Sequence, residues 1–338
     1  QAASLPALAR VVPRLARLAQ RHDVVYANTQ KAFVAASLAT MVPGARRPLL
    51  WHLHDMLTAA HFSSANRAAV LGLLRTRRCT VIANSQATAD AFRAAGGRAA
   101  ALHIVPNGID AAPFDAVDER RVAACRAALG AGGPVVGVFG RLAPWKGQHV
   151  AIEALQRLNA FPDARLVLVG DALFGETDYR RQLQRLAGVA GGAARVHFAG
   201  FQADIAAWMK AVDAVAHTSI APEPFGRVVV EAMLASTPVV AADAGGVAEI
   251  VRHQETGLLY RPGDPDALAA ALSRVLRDTP LRQRLICAAR NDARQRFALP
   301  AVLDAVERVV EAVAAGNSTL PLAPLPSPTV RPRATILP

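Results

Sequence analysis

The chain has 338 residues, 52% of them hydrophobic and 19% charged, which is enough for two well-buried α/β domains of ordinary size. The formal net charge of +12 is uneven: residues 1–130 carry 16 Lys and Arg against 7 Asp and Glu, and the remainder 22 against 19. Three scattered cysteines, Cys79, Cys125 and Cys287, argue against a disulfide framework and for a reducing, cytoplasmic setting, and no C-x-x-C or His-rich cluster points to zinc. With 5% aromatics and no basic–aromatic interleaving, nucleic acid is not an expected partner; no apolar run has the length of a membrane span, and no signal-peptide pattern is visible.

Leu5 to Gln20 has helical apolar spacing with Arg10, Arg14, Arg17 and Arg21 around it, which predicts a basic amphipathic helix, docked on a sheet or lying on an anionic membrane surface. Strands are expected at Asp23–Ala27, Pro48–Leu53, Cys79–Asn84 and Leu102–Pro106, with helices at Lys31–Met41, up to about Thr76, and after the capping Ser85. This alternation predicts a parallel sheet with helices on both faces. His52, His54 and Asp55 end the second strand, the end at which open α/β sheets bind ligands. Alternation puts both histidines on one side, so either could serve there, or merely cap the strand.

Pro106-Asn107-Gly108 turns the chain, and residues 111–133 hold a short helix and the expected interdomain connection. Val135–Phe139 then reads as the first strand of a second domain, running into Gly140-Arg-Leu-Ala-Pro-Trp-Lys-Gly147 and a helix. Strand, glycine loop and helix form an anion cradle, though neither the dinucleotide fingerprint nor the P-loop pattern is present. Arg141 supplies a fork of donors and Lys146 a point charge, a combination that suits a diphosphate. Further strands are expected at 165–169, 195–199, 212–217, 237–242 and 256–260, and helices at 179–187, from 204, 264–277, 280–297 and 300–315. The loops at Gly170 and Gly200 lie at strand C-termini, where a nucleobase would be held.

Glu223 and Glu231 flank Pro224, Phe225, Gly226 and Arg227, with a helix expected from about Gly226. Glu223 then stands in the loop before the helix, and Glu231 in its second turn on the face of Arg227. Two carboxylate acceptors beside a row of unpaired helix-start N–H donors match the hydroxyls and phosphates of a sugar nucleotide. Two solvated glutamates on a capped surface helix would leave the same local pattern.

Glu223-Pro-Phe-Gly-Arg-Val-Val-Val-Glu231, Gly140-Arg-Leu-Ala-Pro-Trp-Lys-Gly147 and Val105-Pro-Asn-Gly-Ile-Asp110 together resemble the retaining glycosyltransferases of family 4, from about residue 20 to 315. The resemblance implies the GT-B fold: two Rossmann-like parallel-sheet domains facing a central cleft. Residues 1–130 would form the acceptor-side domain, 131–298 the nucleotide-sugar domain, 299–316 a helix crossing back to the first, and 317–338, with six prolines, a disordered tail. Family members begin with a further strand and glycine-rich loop, so the first domain is expected to be incomplete and the chain N-terminally truncated.

The implied activity is transfer of a sugar from a nucleotide-sugar donor to an acceptor hydroxyl, in glycan, polysaccharide or glycolipid synthesis. The resemblance places His54 near the anomeric carbon, Arg141 and Lys146 on the diphosphate, and Glu231 on the ribose. Glu223, with the N–H groups of Phe225, Gly226 and Arg227, would hold the sugar. No metal and no cofactor are expected. The acceptor would be a glycan, a lipid-linked sugar or a small hydroxyl compound, and the basic first domain fits an anionic membrane surface at the inner face. A truncated sugar-nucleotide-binding protein without turnover, or another enzyme on this fold such as a sugar-nucleotide epimerase, are the alternatives.

Overall fold

A computed structural model describes residues 5–59, 62–76, 79–130, 132–173, 175–189 and 195–317. The chain divides into two compact units, residues 1–108 with 300–338, and residues 109–299.

The first unit contains α1 (Leu5–Ala19), β1 (Val25–Ala27), α2 (Gln30–Ala39), β2 (Leu49–Leu53), α3 (Ser64–Thr76), β3 (Cys79–Ala83), α4 (Gln86–Ala94) and β4 (Ala101–Ile104). Its four strands pair in parallel in sequence order. The β2 and β3 strands are buried on both faces, which explains their unbroken apolar runs. On one face Phe33 stacks on Trp51, with ring centroids 4.3 Å apart, above Leu49, Val81 and Phe92. Thr29 caps α2 and Ser85 caps α4, each side chain accepting an N–H three residues on. The basic helix α1 packs Ala16 and Ala19 against Ala39 and Ala45 and leaves Arg10, Arg14, Arg17 and Arg21 in solvent.

The other face of this sheet is closed by the far end of the chain. Helix α14 (Leu299–Ala314) sets Val302, Ala305, Val309 and Val313 against Leu50, Ile82 and Val105. The proline-rich tail expected from residue 317 lies, apart from Asn317, outside the described residues.

The second unit begins with α5 (Ala112–Asp115) and α6 (Glu119–Ala128), before the boundary at residue 130 that the sequence pattern implies. Their partners decide the matter. Phe114 and Leu129 enter the second unit's core, Arg121 pairs bidentately with Asp204 at 2.7 and 2.9 Å, and Arg126 meets Asp213 at 2.7 Å.

There follow β5 (Val135–Phe139), a 3-10 turn (Pro144–Lys146), α7 (Gln148–Arg157), β6 (Arg165–Val169), α8 (Thr177–Val189) and β7 (Val196–Gly200). Then come α9 (Ile205–Lys210), β8 (Ala214–His217), α10 (Arg227–Leu234), β9 (Val239–Ala242), α11 (Val247–Ile250), β10 (Leu258–Tyr260), α12 (Pro265–Arg277) and α13 (Thr279–Arg296). The six strands are parallel in the order β10-β9-β8-β5-β6-β7. Alternate side chains serve two apolar layers. Val136, Val138, Leu166 and Leu168 pack with α7, α8 and α12; Val135, Val167, Val169 and Val215 pack with α9, α10 and α13. The strand order reverses between β5 and β8, and the C-terminal ends of strands at such a switch point are where open α/β sheets bind ligands. The two motif loops leave the sheet from these two strands.

Candidate functional site

The loop after β5 is shaped by glycines that no other residue could replace without strain. Gly147 has φ +67°, and a Cβ there would lie 2.0 Å from the Thr218 carbonyl oxygen. This close approach lets the loops after β5 and β8 join. Thr218 Oγ1 donates to the Lys146 carbonyl at 2.8 Å, and the Ile220 N–H donates to the Trp145 carbonyl at 2.9 Å. The Lys146 ammonium, lying over the Trp145 ring, donates to Glu223 Oε1 at 2.5 Å.

Glu223 is buried, and its Oε1 collects two further donors. His217 Nε2 lies 2.8 Å away, and the Ser219 hydroxyl donates to the same oxygen. None of these three bonds uses Oε2. Burial opposes ionisation of Glu223, but His217 and then Lys146 outweigh it and hold the carboxyl well below the usual carboxylate range. The Glu223 backbone is fixed as well: its carbonyl accepts the Gly246 N–H at 2.8 Å, and it bridges to Gly245. Behind Gly246, the last carbonyls of α11 are held by Arg296, which donates to Glu249 at 2.7 Å and pairs with buried Asp292 at 2.8 Å. Arg252 reaches the other oxygen of Asp292 at 2.5 Å.

Arg141 stands on the same loop as Lys146, with its Nε 3.5 Å from Glu176 Oε2. Both loop cations therefore face carboxylates of the chain, and an entering diphosphate would compete with Glu176 and Glu223 for them. Gly226, with φ +107°, starts α10 without a side-chain cap, so the N–H groups of the first turn have no side chain of the cap residue upon them. Arg227 bonds Glu231 Oε1 at 3.3 Å, the helical i,i+4 contact. The Phe225 side chain is core, edge-on to Phe297 with ring centroids 5.6 Å apart, so only its backbone is offered to a ligand.

His54 belongs to the first unit. Its Nε2 lies 2.8 Å from Asn28 Oδ1, and its ring stacks on His52, with centroids 4.0 Å apart. His52 is buried, with Nδ1 2.6 Å from the Tyr26 hydroxyl and no partner for Nε2 among the described residues. Burial, and secondarily His54, push its pKa down to about 3. The pair is thus asymmetric: His52 stays neutral and supports, while His54 is half-buried at the strand end. The structure brings Lys146 onto Glu223 and Arg227 onto Glu231 within one unit, and places His54 in the other.

Sequence reasoning missed His217, Ser219, Glu176 and Asn28. His217 left one signal: it ends a strand that feeds directly into the glutamate motif.

Two Rossmann-like parallel-sheet units, the second doubly wound with basic and acidic motif loops at its switch point, are the components of the GT-B class. The pattern described as Glycosyltransferase Family 4 matches residues 2–112, and that described as Glycosyl transferases group 1 matches residues 126–292. Anabaena Alr3699/HepE, solved in complex with UDP-glucose, is similar at 43% identity and TM-score 0.85, covering 92% of this chain and 84% of that one. The chain belongs to family 4 of the glycosyltransferases. A D-inositol 3-phosphate glycosyltransferase of Jonesia denitrificans is 36% identical over 57% of this chain and 47% of its own length. The lipopolysaccharide core biosynthesis glycosyltransferase LpsE of Rhizobium meliloti is 36% identical over 55% and 53%. The chain thus spans about half the length of the curated relatives it matches.

Proposed function

We propose that the protein moves a sugar from a uridine diphosphate sugar to an acceptor hydroxyl, with retention of anomeric configuration. The observation that carries this reading is the Lys146 ammonium on the Glu223 carboxylate, at the switch point of the second unit. Likeness to a chain solved with UDP-glucose supports the uridine and the hexose.

In this reading the acceptor oxygen bonds the anomeric carbon as the bond from that carbon to the diphosphate oxygen breaks, and the acceptor's hydroxyl proton passes to the departing diphosphate oxygen. Arg141 and Lys146 meet the negative charge growing on the leaving diphosphate, by electrostatics that need no metal. Glu223, with the N–H groups of Phe225, Gly226 and Arg227, holds the sugar hydroxyls, and Glu231 accepts from the ribose. His54, set by Asn28, orients groups near the anomeric carbon. The acceptor is a glycan, a lipid-linked sugar or a small hydroxyl compound.

Thermal-shift binding of UDP-, GDP- and ADP-sugars tests the donor site. A ligand at 100 times its dissociation constant stabilises by about 2.7 kcal/mol. A shift with the UDP-sugar, lost in Lys146→Ala and Glu231→Ala, is expected; a folded protein that shifts with no nucleotide sugar refutes the reading. Product analysis with and without acceptor separates transfer from epimerisation or binding alone.

The exposed arginines of α1 further support peripheral attachment to an anionic membrane surface. Among the described residues no helix is long and apolar enough to cross a membrane. Co-sedimentation with anionic vesicles should weaken as salt rises, and its absence at low salt refutes the attachment.

A further inference from the structure

Glu223 presents an imbalance that the donor reading alone leaves unexplained. Three donors, from Lys146, His217 and Ser219, crowd Oε1, while none of them touches Oε2. A buried carboxylate needs such compensation, because ionisation away from water is otherwise costly. Yet in the proposed reaction Lys146 is drawn to the diphosphate. When it turns, Oε1 keeps one hydroxyl and one imidazole N–H.

His217 is poorly explained as core. It is buried at 6% exposure, and its Nδ1 has no hydrogen-bond partner among the described residues. An orphaned buried ring nitrogen is a cost that Leu or Val, the usual residues of a buried strand end, would avoid. What the ring gains is the 2.8 Å bond from Nε2 to Glu223. The carboxylate can only accept, so Nε2 carries the proton in this pair. The strand holds the ring's root firmly: β8 is paired on both sides, His217 registers with Ala241, and the Tyr260 hydroxyl donates to the His217 carbonyl at 3.4 Å. The ring therefore sets Glu223 from the rigid sheet, while Ser219 and Lys146 reach it from the loops.

We propose that His217 is a positioning residue for sugar recognition: it clamps Oε1 of Glu223 so that Oε2 meets the donor sugar's hydroxyls, and remains its partner when Lys146 engages the diphosphate. This rests on the donor reading of Glu223 given above. The bond from His217 should matter for the sugar and not for the nucleotide, because His217 contacts Glu223 and neither Arg141 nor Glu231.

The test is calorimetric titration of the full chain with UDP and with UDP-glucose, in wild type, Glu223→Gln, His217→Gln and His217→Asn. A glutamine amide reaches the position of Nε2, whereas an asparagine amide stops short of it. Both are polar and uncharged, so packing loss is small and similar. The expected result is that His217→Asn weakens UDP-glucose about tenfold or more, the scale of one lost hydrogen bond to a charged group, and changes UDP less than about twofold. His217→Gln should recover most of the loss. If Glu223→Gln selectively weakens UDP-glucose while His217→Asn changes neither ligand, or both alike, the proposal is overturned and the reading of Glu223 stands. If Glu223→Gln is not selective, or wild type binds neither ligand, the donor reading falls and the role of His217 falls with it. A variant that merely loosens the fold would weaken both ligands together.

Discussion

Lowering the pH from 7 to 5 should weaken the first unit by about 2 kcal/mol through one side chain, His52. In the folded chain its pKa is pushed from 6.5 down to about 3, by burial and then by the neighbouring His54 ring. The unfolded chain therefore takes up a proton near pH 6.5 that the folded chain refuses until about pH 3. Stability is complete above pH 6.5 and drains away as pH falls toward 3, at about 1.4 kcal/mol for each pH unit. Urea unfolding at the two pH values, followed by the fluorescence of buried Trp51 with Trp145 and Trp208 replaced by Phe, reads this unit alone. His52→Gln should remove most of the acid loss, and the other acid-sensitive groups cancel in the comparison. Equal losses in wild type and His52→Gln would refute the reasoning, as would a His52 ring that titrates near pH 6.5 by NMR.

Three further outcomes are expected. Gly245→Ala puts a Cβ 2.3 Å from the Glu223 carbonyl oxygen at a φ of +60°. It should cost about 1–3 kcal/mol by thermal denaturation, and weaken UDP-glucose binding because Glu223 must shift. Asp292→Ala leaves buried Arg296 uncompensated and should cost about 3–5 kcal/mol in chemical unfolding of the second unit. Phe33→Ala empties the stack on Trp51 and should cost the first unit about 3–5 kcal/mol, with donor binding by the second unit unchanged.

Much of this was legible in local signals. Gly147, Gly226 and the caps Ser85 and Asp264 punctuate the chain where the helices start, and the apolar runs from Val135 and Arg165 are strands. What escaped was set by long-range partners. Whether α5 and α6 belong to the first or second unit depends on Asp204 and Asp213, more than eighty residues downstream of Arg121 and Arg126. Helix α11, at four residues, is too short to show a period. At the site, the charged types and their order could be read, because Arg141 and Lys146 adjoin Gly140 and Gly147, and Glu223 and Glu231 lie on either side of Gly226, which starts α10. The convergence of Lys146, His217 and Ser219 on one oxygen could not, since Lys146 and Glu223 lie 77 positions apart. Nor could the stacking of His52 on His54: alternation put them on one side, but not ring on ring.

The closing of the first sheet by α14 has a consequence for how the protein is made. Residues 109–299 are in effect a guest inserted into a host whose last piece is synthesised after them. Leu50, Ile82 and Val105 emerge from the ribosome long before Val302 and Val309 exist to cover them. At ordinary translation speeds the wait is roughly 10–40 s. Throughout it, the host presents a bare aliphatic face while the guest, continuous in sequence, is free to fold. The nascent chain should therefore mature out of order, the second unit first. A message cut short before residue 300 should yield a folded second unit attached to a sticky, chaperone-dependent half sheet.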